Sequence, residues 1–117
     1  MVQSPWLADS ERRAAINVPD GSFGMGSLAD ASTWATVQRG AQLRSYQVQL
    51  TTIDGFLATI GSRAPDFIKI DVEGAELFVL RGAAKLFNAG QRPLMLIEVF
   101  APWENAFGYS PWIPLCQ

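Results

Sequence analysis

Pro65-Asp66-Phe67-Ile68-Lys69-Ile70-Asp71-Val72-Glu73-Gly74-Ala75-Glu76 is the stretch on which the fold turns. Between the end residues Asp66 and Asp71 it is apolar on both faces apart from Lys69, the pattern of a strand covered by helices on both sides, as in parallel sheets. Val72-Glu73-Gly74 reads as a turn. Leu77, Leu80, Ala84 and Phe87 recur at helical spacing, which predicts a helix over 75–89 with those four on its buried face. Gly90 is its expected C-terminal stop. After Arg92-Pro93, residues 94–100 are again apolar on both faces except for Glu98, a second buried strand. Two buried strands joined by a helix form a βαβ unit, whose crossover is right-handed in nearly all cases. The fold class is therefore α/β.

Upstream, Ala14–Val18 is a short apolar run closed by the turn signal Pro19-Asp20-Gly21, which predicts a strand. Residues 19–33 hold several glycines, serines and aspartates and read as a long loop. Tyr46–Leu50 alternates, with Tyr46, Val48 and Leu50 on one face, a half-buried strand. Thr51 or Thr52 caps a short helix whose apolar stripe is Phe56, Leu57 and Ile60, stopped by Gly61. Residues 1–12 read as a polar lead-in and 13–117 as the domain. Downstream, 101–117 is rich in Pro and Trp, with a helical turn near Glu104–Phe107.

Composition narrows the function classes. The 117 residues suffice for one domain, and 49 % apolar with 17 % charged residues marks it as globular. A net charge of −2 without a Lys/Arg cluster excludes an electrostatic footprint for nucleic acid. The single cysteine, Cys116, excludes an internal disulfide and a cysteine zinc site and fits a reducing, cytoplasmic compartment. The N-terminal residues have neither the basic start nor the apolar run of a signal peptide, and no apolar stretch is long enough to span a membrane. With no histidine at all, acid–base chemistry falls to Asp, Glu, Lys or Tyr.

In open α/β sheets ligands bind beyond the C-terminal ends of the strands. Asp71 ends one strand and Glu98 lies near the end of the next. On neighbouring strands about 4.8 Å apart, the two carboxylates can lie close together. That would raise one pKa and create a proton acceptor, or supply half of a divalent-metal site. A structural alternative pairs Glu98 with Lys69. Glu73 stands near the same strand tip, whereas Glu76 opens the helix, where its charge complements the dipole. Tyr109, in Gly108-Tyr109-Ser110-Pro111, is a candidate substrate contact. Gly24-Met25-Gly26-Ser27-Leu28-Ala29 matches a dinucleotide-loop pattern. It lacks the following helix and the acidic residue about 20 positions on that such a loop requires, so it reads as a loop that shapes a cleft or a surface excursion. The tryptophans, Trp6, Trp34, Trp103 and Trp112, fall outside the two central strands, in loops, as core-edge packing or pocket lining.

The run from Pro65 to Glu76, then Val79-Leu80-Arg81-Gly82-Ala83, then Leu96-Ile97-Glu98-Val99, resembles the FkbM family of S-adenosylmethionine-dependent methyltransferases. Leu50-Thr51-Thr52-Ile53-Asp54-Gly55-Phe56-Leu57 is similar to the family's threonine-leucine-aspartate helix start. Gly24–Leu28 and Phe107–Ser110 are similar to the flanking segments. The resemblance spans about residues 13–112. It implies a partial class I methyltransferase (Rossmann-like) fold, a three-layer sandwich around a mostly parallel sheet. It implies methyl transfer from S-adenosylmethionine to a hydroxyl of a small molecule or sugar. By the same resemblance, Asp71, Val72 and Glu73 would contact the cofactor, and Asp71 and Glu98 would serve catalysis. The family's glycine-rich first strand-and-turn and its ribose-holding acid have no counterpart before Ala14, and its final strands have none up to Gln117. The 66–71 strand would then keep a bare edge. Two expectations follow from that edge: weak or no S-adenosylmethionine binding by residues 1–117 alone, and self-association through it. The alternative function is a non-catalytic α/β module that associates through the exposed sheet edge.

Overall fold

The structure is a computed structural model and describes residues 5–22, 24–61 and 63–108. In chain order the elements are β1 (Trp6–Leu7), β2 (Arg12–Pro19), α1 (Ala31–Val37), β3 (Leu43–Thr51), α2 (Ile53–Thr59), β4 (Phe67–Ile70), α3 (Glu76–Arg81), α4 (Ala84–Asn88), β5 (Leu94–Ile97) and α5 (Ala101–Ala106). The described strands form two small sheets, one ordered β1-β3-β2 and the other β4-β5. In the first, β2 runs antiparallel to β3 from Arg12↔Leu50 to Pro19↔Leu43, and β1 pairs with β3 in parallel. In the second, β4 and β5 are parallel, from Phe67↔Leu94 to Ile70↔Ile97. The α/β class and the βαβ unit are therefore present. Trp6 and Leu7, in the stretch read as lead-in, belong to the first sheet, and Ala8 continues it by donating to the Thr51 carbonyl at 2.8 Å.

The helix expected over 75–89 is broken into α3 and α4 around Gly82. A Cβ at Gly82 would collide with the carbonyl oxygen of Ala8, so β1's exit segment lies directly against this turn. The new N-terminus at α4 is capped from outside: the Asp54 carboxylate on α2 accepts from the Lys85 and Leu86 N–H groups at 2.9 and 3.0 Å. The buried face also differs from the expected one. Val79, Ala83 and Leu86 are buried, whereas Leu77, Leu80 and Phe87 are half-buried and Ala84 is exposed. The kink at Gly82 turns the two short helices separately, so a single helical stripe does not describe them. In α2, Thr52 is the N-cap and accepts from Gly55 N–H at 2.8 Å. Its inward residues are Ile53 and Leu57; Phe56 and Ile60 point outward.

The main core joins Ile53, Ile70, Val79, Ala83 and Leu86, with Ile68 and Ile97 packed against it. It lies on one face of β4-β5. On the other face Phe67, Leu94 and Leu96 are exposed, which corrects the expectation of helices on both sides. The alternating register puts these three side chains on the side away from the core. β5 also stops at Ile97, short of the expected Phe100.

A second cluster forms where α1 packs on α5, with Ala29, Trp34 and Trp103 buried and Val37, Leu43 and Phe107 around them. Helix α1 lies partly within and beyond the segment read as loop. Asp30 caps it by accepting from Thr33 N–H at 2.8 Å and from Ser32 Oγ at 2.7 Å. Trp6 is in a strand, and Trp34 and Trp103 are in helices, so the expectation of loop tryptophans is corrected. Trp112, Tyr109 and Cys116 lie outside the described residues. Among the described residues no helix is long and apolar enough to cross a membrane.

Candidate functional site

The register of the parallel pair builds the site. Ile70 faces Ile97, and the ladder runs one step further, because Glu98 N–H donates to the Ile70 carbonyl at 2.9 Å. Asp71 and Glu98 are thus the next residues on adjacent strands, at their C-terminal ends. The turn after Asp71 brings in a third acid. Glu73 and Gly74 both have positive φ, 49° and 97°, and Ala75 N–H closes back on the Val72 carbonyl at 3.4 Å. Positive φ at both central positions is the signature of a type I′ turn. One carboxylate oxygen from each of Asp71, Glu73 and Glu98 lies within 4.8 Å of the others. Sequence spacing anticipated the closeness of Asp71 and Glu98; the turn adds Glu73.

The turn is held from several sides. Ser27 Oγ donates to the Glu73 carbonyl at 2.8 Å. Trp103 Nε1 donates to Glu73 Oε2 at 2.8 Å. Glu76 Oε1 accepts from Gly74 N–H at 3.1 Å, so Glu76 has a structural role at the turn. A Cβ on Gly74 would stand 2.5 Å from Phe107 Cε2 and 3.0 Å from Trp103 Cβ. Only glycine allows α5 to approach this closely at that φ.

Electrostatics distinguishes the three acids. Burial pushes the Glu73 carboxyl above the usual carboxylate range, and the charges of Asp71, Glu98 and Glu76 push the same way, while the Trp103 hydrogen bond opposes them. Lys69 Nζ lies 3.7 Å from Asp71 Oδ2, with both side chains partly solvated. The pairing of Lys69 with Glu98 weighed from sequence is therefore replaced by one with Asp71. Lys69 and Asp71 sit two residues apart on one edge, and their side chains project to the same side. Glu98 is exposed. The three carboxylates together could hold a cation or a proton, although exposed acidic groups are also common without a metal.

Gly24–Ala29 does not form a nucleotide-binding turn. Ser27 and Asn17 exchange backbone hydrogen bonds at 2.9 and 3.1 Å, Asn17 Nδ2 donates to the Ala29 carbonyl at 2.7 Å, and the next helix starts only at Ala31. β2 is also antiparallel to β3, so no βαβ unit starts here. A Cβ on Gly26 would come 2.9 Å from Trp6 Cη2, so this glycine serves packing. The loop delivers Ser27 to the Glu73 turn.

The family model for the Methyltransferase FkbM domain matches residues 7–112. The chain belongs to the FkbM methyltransferase family. No curated protein and no solved structure matches it. Within this FkbM domain the match begins at Leu7, inside the stretch that reads as a lead-in, and includes all the acids of the cluster. Sequence reading missed the tie from Ser27, for which nothing local gives a signal. Trp103 carried a weaker signal: a buried indole usually finds an acceptor for its N–H.

Proposed function

We propose that this FkbM domain uses S-adenosylmethionine to methylate a hydroxyl oxygen of a small-molecule or sugar acceptor at the Asp71–Glu73–Glu98 cluster. The observation that carries this reading is the convergence of three carboxylates at the C-terminal end of the β4-β5 pair, inside a methyltransferase match. The chemistry of these donors fits the cationic end of S-adenosylmethionine, whose bound form supplies an electrophilic methyl group on a sulfonium. Asp71 and Glu98 would offset that positive charge, and Val72 and Glu73 would line the donor along the turn.

The protein's own work in such a transfer is alignment and removal of one proton. Glu73 is the suited acceptor, because burial and like charges raise its affinity for a proton. Lys69 Nζ lies 3.7 Å from Asp71 Oδ2. Glu98 is exposed and would meet the incoming hydroxyl. Tyr109 would contact the acceptor. The full three-layer sandwich with a mostly parallel sheet is the architecture in which β4 would gain a neighbour on its second edge. A cytoplasmic setting agrees with the lone cysteine and with a cofactor made in the cell interior.

Amide chemical-shift mapping with S-adenosylmethionine at millimolar concentration tests the reading, and it detects weak binding. Shifts centred on Asp71, Val72, Glu73 and Glu98, reduced in Asp71→Asn, support it. Shifts confined to other surfaces would sink it.

A further inference from the structure

Glu73 and Trp103 are thirty residues apart, yet the indole N–H donates to Glu73 Oε2 at 2.8 Å. The indole has little freedom to move. Trp103 is 1 % exposed, meets the Trp34 ring edge-on with centroids 4.6 Å apart, and packs beside Phe107. Its Cβ stands 3.0 Å from where a Cβ on Gly74 would be. The bond is also selective within the cluster. Trp34 Nε1, equally buried, finds no hydrogen-bond partner among the described residues. The α1–α5 pair therefore immobilises one particular donor and aims it at one oxygen of one acid.

We propose that Trp103 is a positioning residue for Glu73, fixing Oε2 of its carboxylate and leaving Oε1 to take the acceptor's proton. The role rests on the reading of Glu73 as the proton acceptor. A glutamate side chain on a free stem samples many rotamers, and a charge-assisted hydrogen bond from a rigid donor selects among them. The groups that face Glu73 are Asp71 at the end of β4, with Lys69 beside it, Glu98 after β5 and Glu76 on α3. All three acids disfavour its ionised form, and the indole N–H favours it.

The test follows the Trp103 indole N–H resonance against pH in the native chain, together with the Glu73 side-chain carboxyl carbon. The indole signal is expected to titrate with the Glu73 midpoint and to lose that step in Glu73→Gln. In Trp103→Phe, which keeps a ring but removes the donor, the Glu73 midpoint is expected to move up. In Trp34→Phe, which shrinks the same cluster without touching the bond, it is expected to stay. An indole signal flat across the Glu73 titration overturns the proposal, as does an equal shift in both variants. If Trp103→Phe does not fold, the native-chain titration decides alone. With methyl transfer measurable, Trp103→Phe is expected to lower kcat at unchanged KM, and an unchanged kcat overturns the positioning role. Absence of transfer in a chain whose indole titrates with Glu73 counts against the methyltransferase reading and leaves the tie in place.

Discussion

Glu73 occupies a left-handed backbone conformation that a non-glycine residue adopts at a cost of order 1–3 kcal/mol. The surrounding bonds keep it there: Ser27 on its carbonyl and Trp103 on its carboxylate. Folding raises the proton affinity of this carboxyl. The native chain then holds more protons than the unfolded one between the ordinary glutamate range and the raised value. The stabilising contribution is thus complete below that range and is lost as pH rises through the folded value. Glu73→Gln should be more resistant to denaturant than the native chain at neutral pH, with the advantage fading in acid. Urea titrations at both pH values check the sign. Next to it, Gly74 faces two constraints at once, a φ of 97° and a Phe107 ring where a Cβ would go. Gly74→Ala is expected to destabilise by about 1–3 kcal/mol, read as a lower denaturant midpoint.

At the scale of elements, the short helices depend on one another for their ends. α4 has no side-chain cap of its own, and Asp54 on α2 supplies two acceptors to its first N–H groups. Asp54 also donates its own N–H to the Gly82 carbonyl at 3.0 Å. In the sequence, Thr52 and Asp54 read as the start of α2. Thr52 does cap α2, but the aspartate caps a helix thirty residues downstream. Asp54→Ala should cost about 1–2 kcal/mol and Asp54→Asn less, because the amide oxygen can still accept one bond. Thermal unfolding of both variants tests the order. Gly82→Ala should be worse than either, since the Ala8 carbonyl lies where the methyl would go.

For the whole molecule, the outer face of β4-β5 is the unusual feature. Phe67 is 52 % exposed, Leu94 70 % and Leu96 55 %, with Phe100 beyond them at 53 %. Contiguous apolar surface of this kind on a small domain favours association. Among the described residues β4 and β5 pair only with each other, which adds unpaired backbone groups at the sheet edges. Sedimentation velocity is expected to show a mean mass that rises with concentration, and Leu94→Lys with Leu96→Lys should restore a monomer. A native chain that is monomeric at every concentration would contradict this.

The sequence by itself determined the βαβ unit, the strands at 14–18, 46–50, 66–71 and 94–100 in outline, the capping by Thr52, and the acids at the strand ends. These features depend on neighbours in the chain: period-two or helical spacing, turn residues and caps. The resemblance to the FkbM family was equally legible, because its motif is contiguous. Only the tertiary structure decided the rest. The break at Gly82 needs Ala8, the cap of α4 needs Asp54, and the Glu73 turn needs Ser27 and Trp103, all distant in sequence. The bare outer face was hidden for the same reason. A strand apolar on both faces announces that both could be covered, but which one is covered depends on where the helices of the whole chain come to lie.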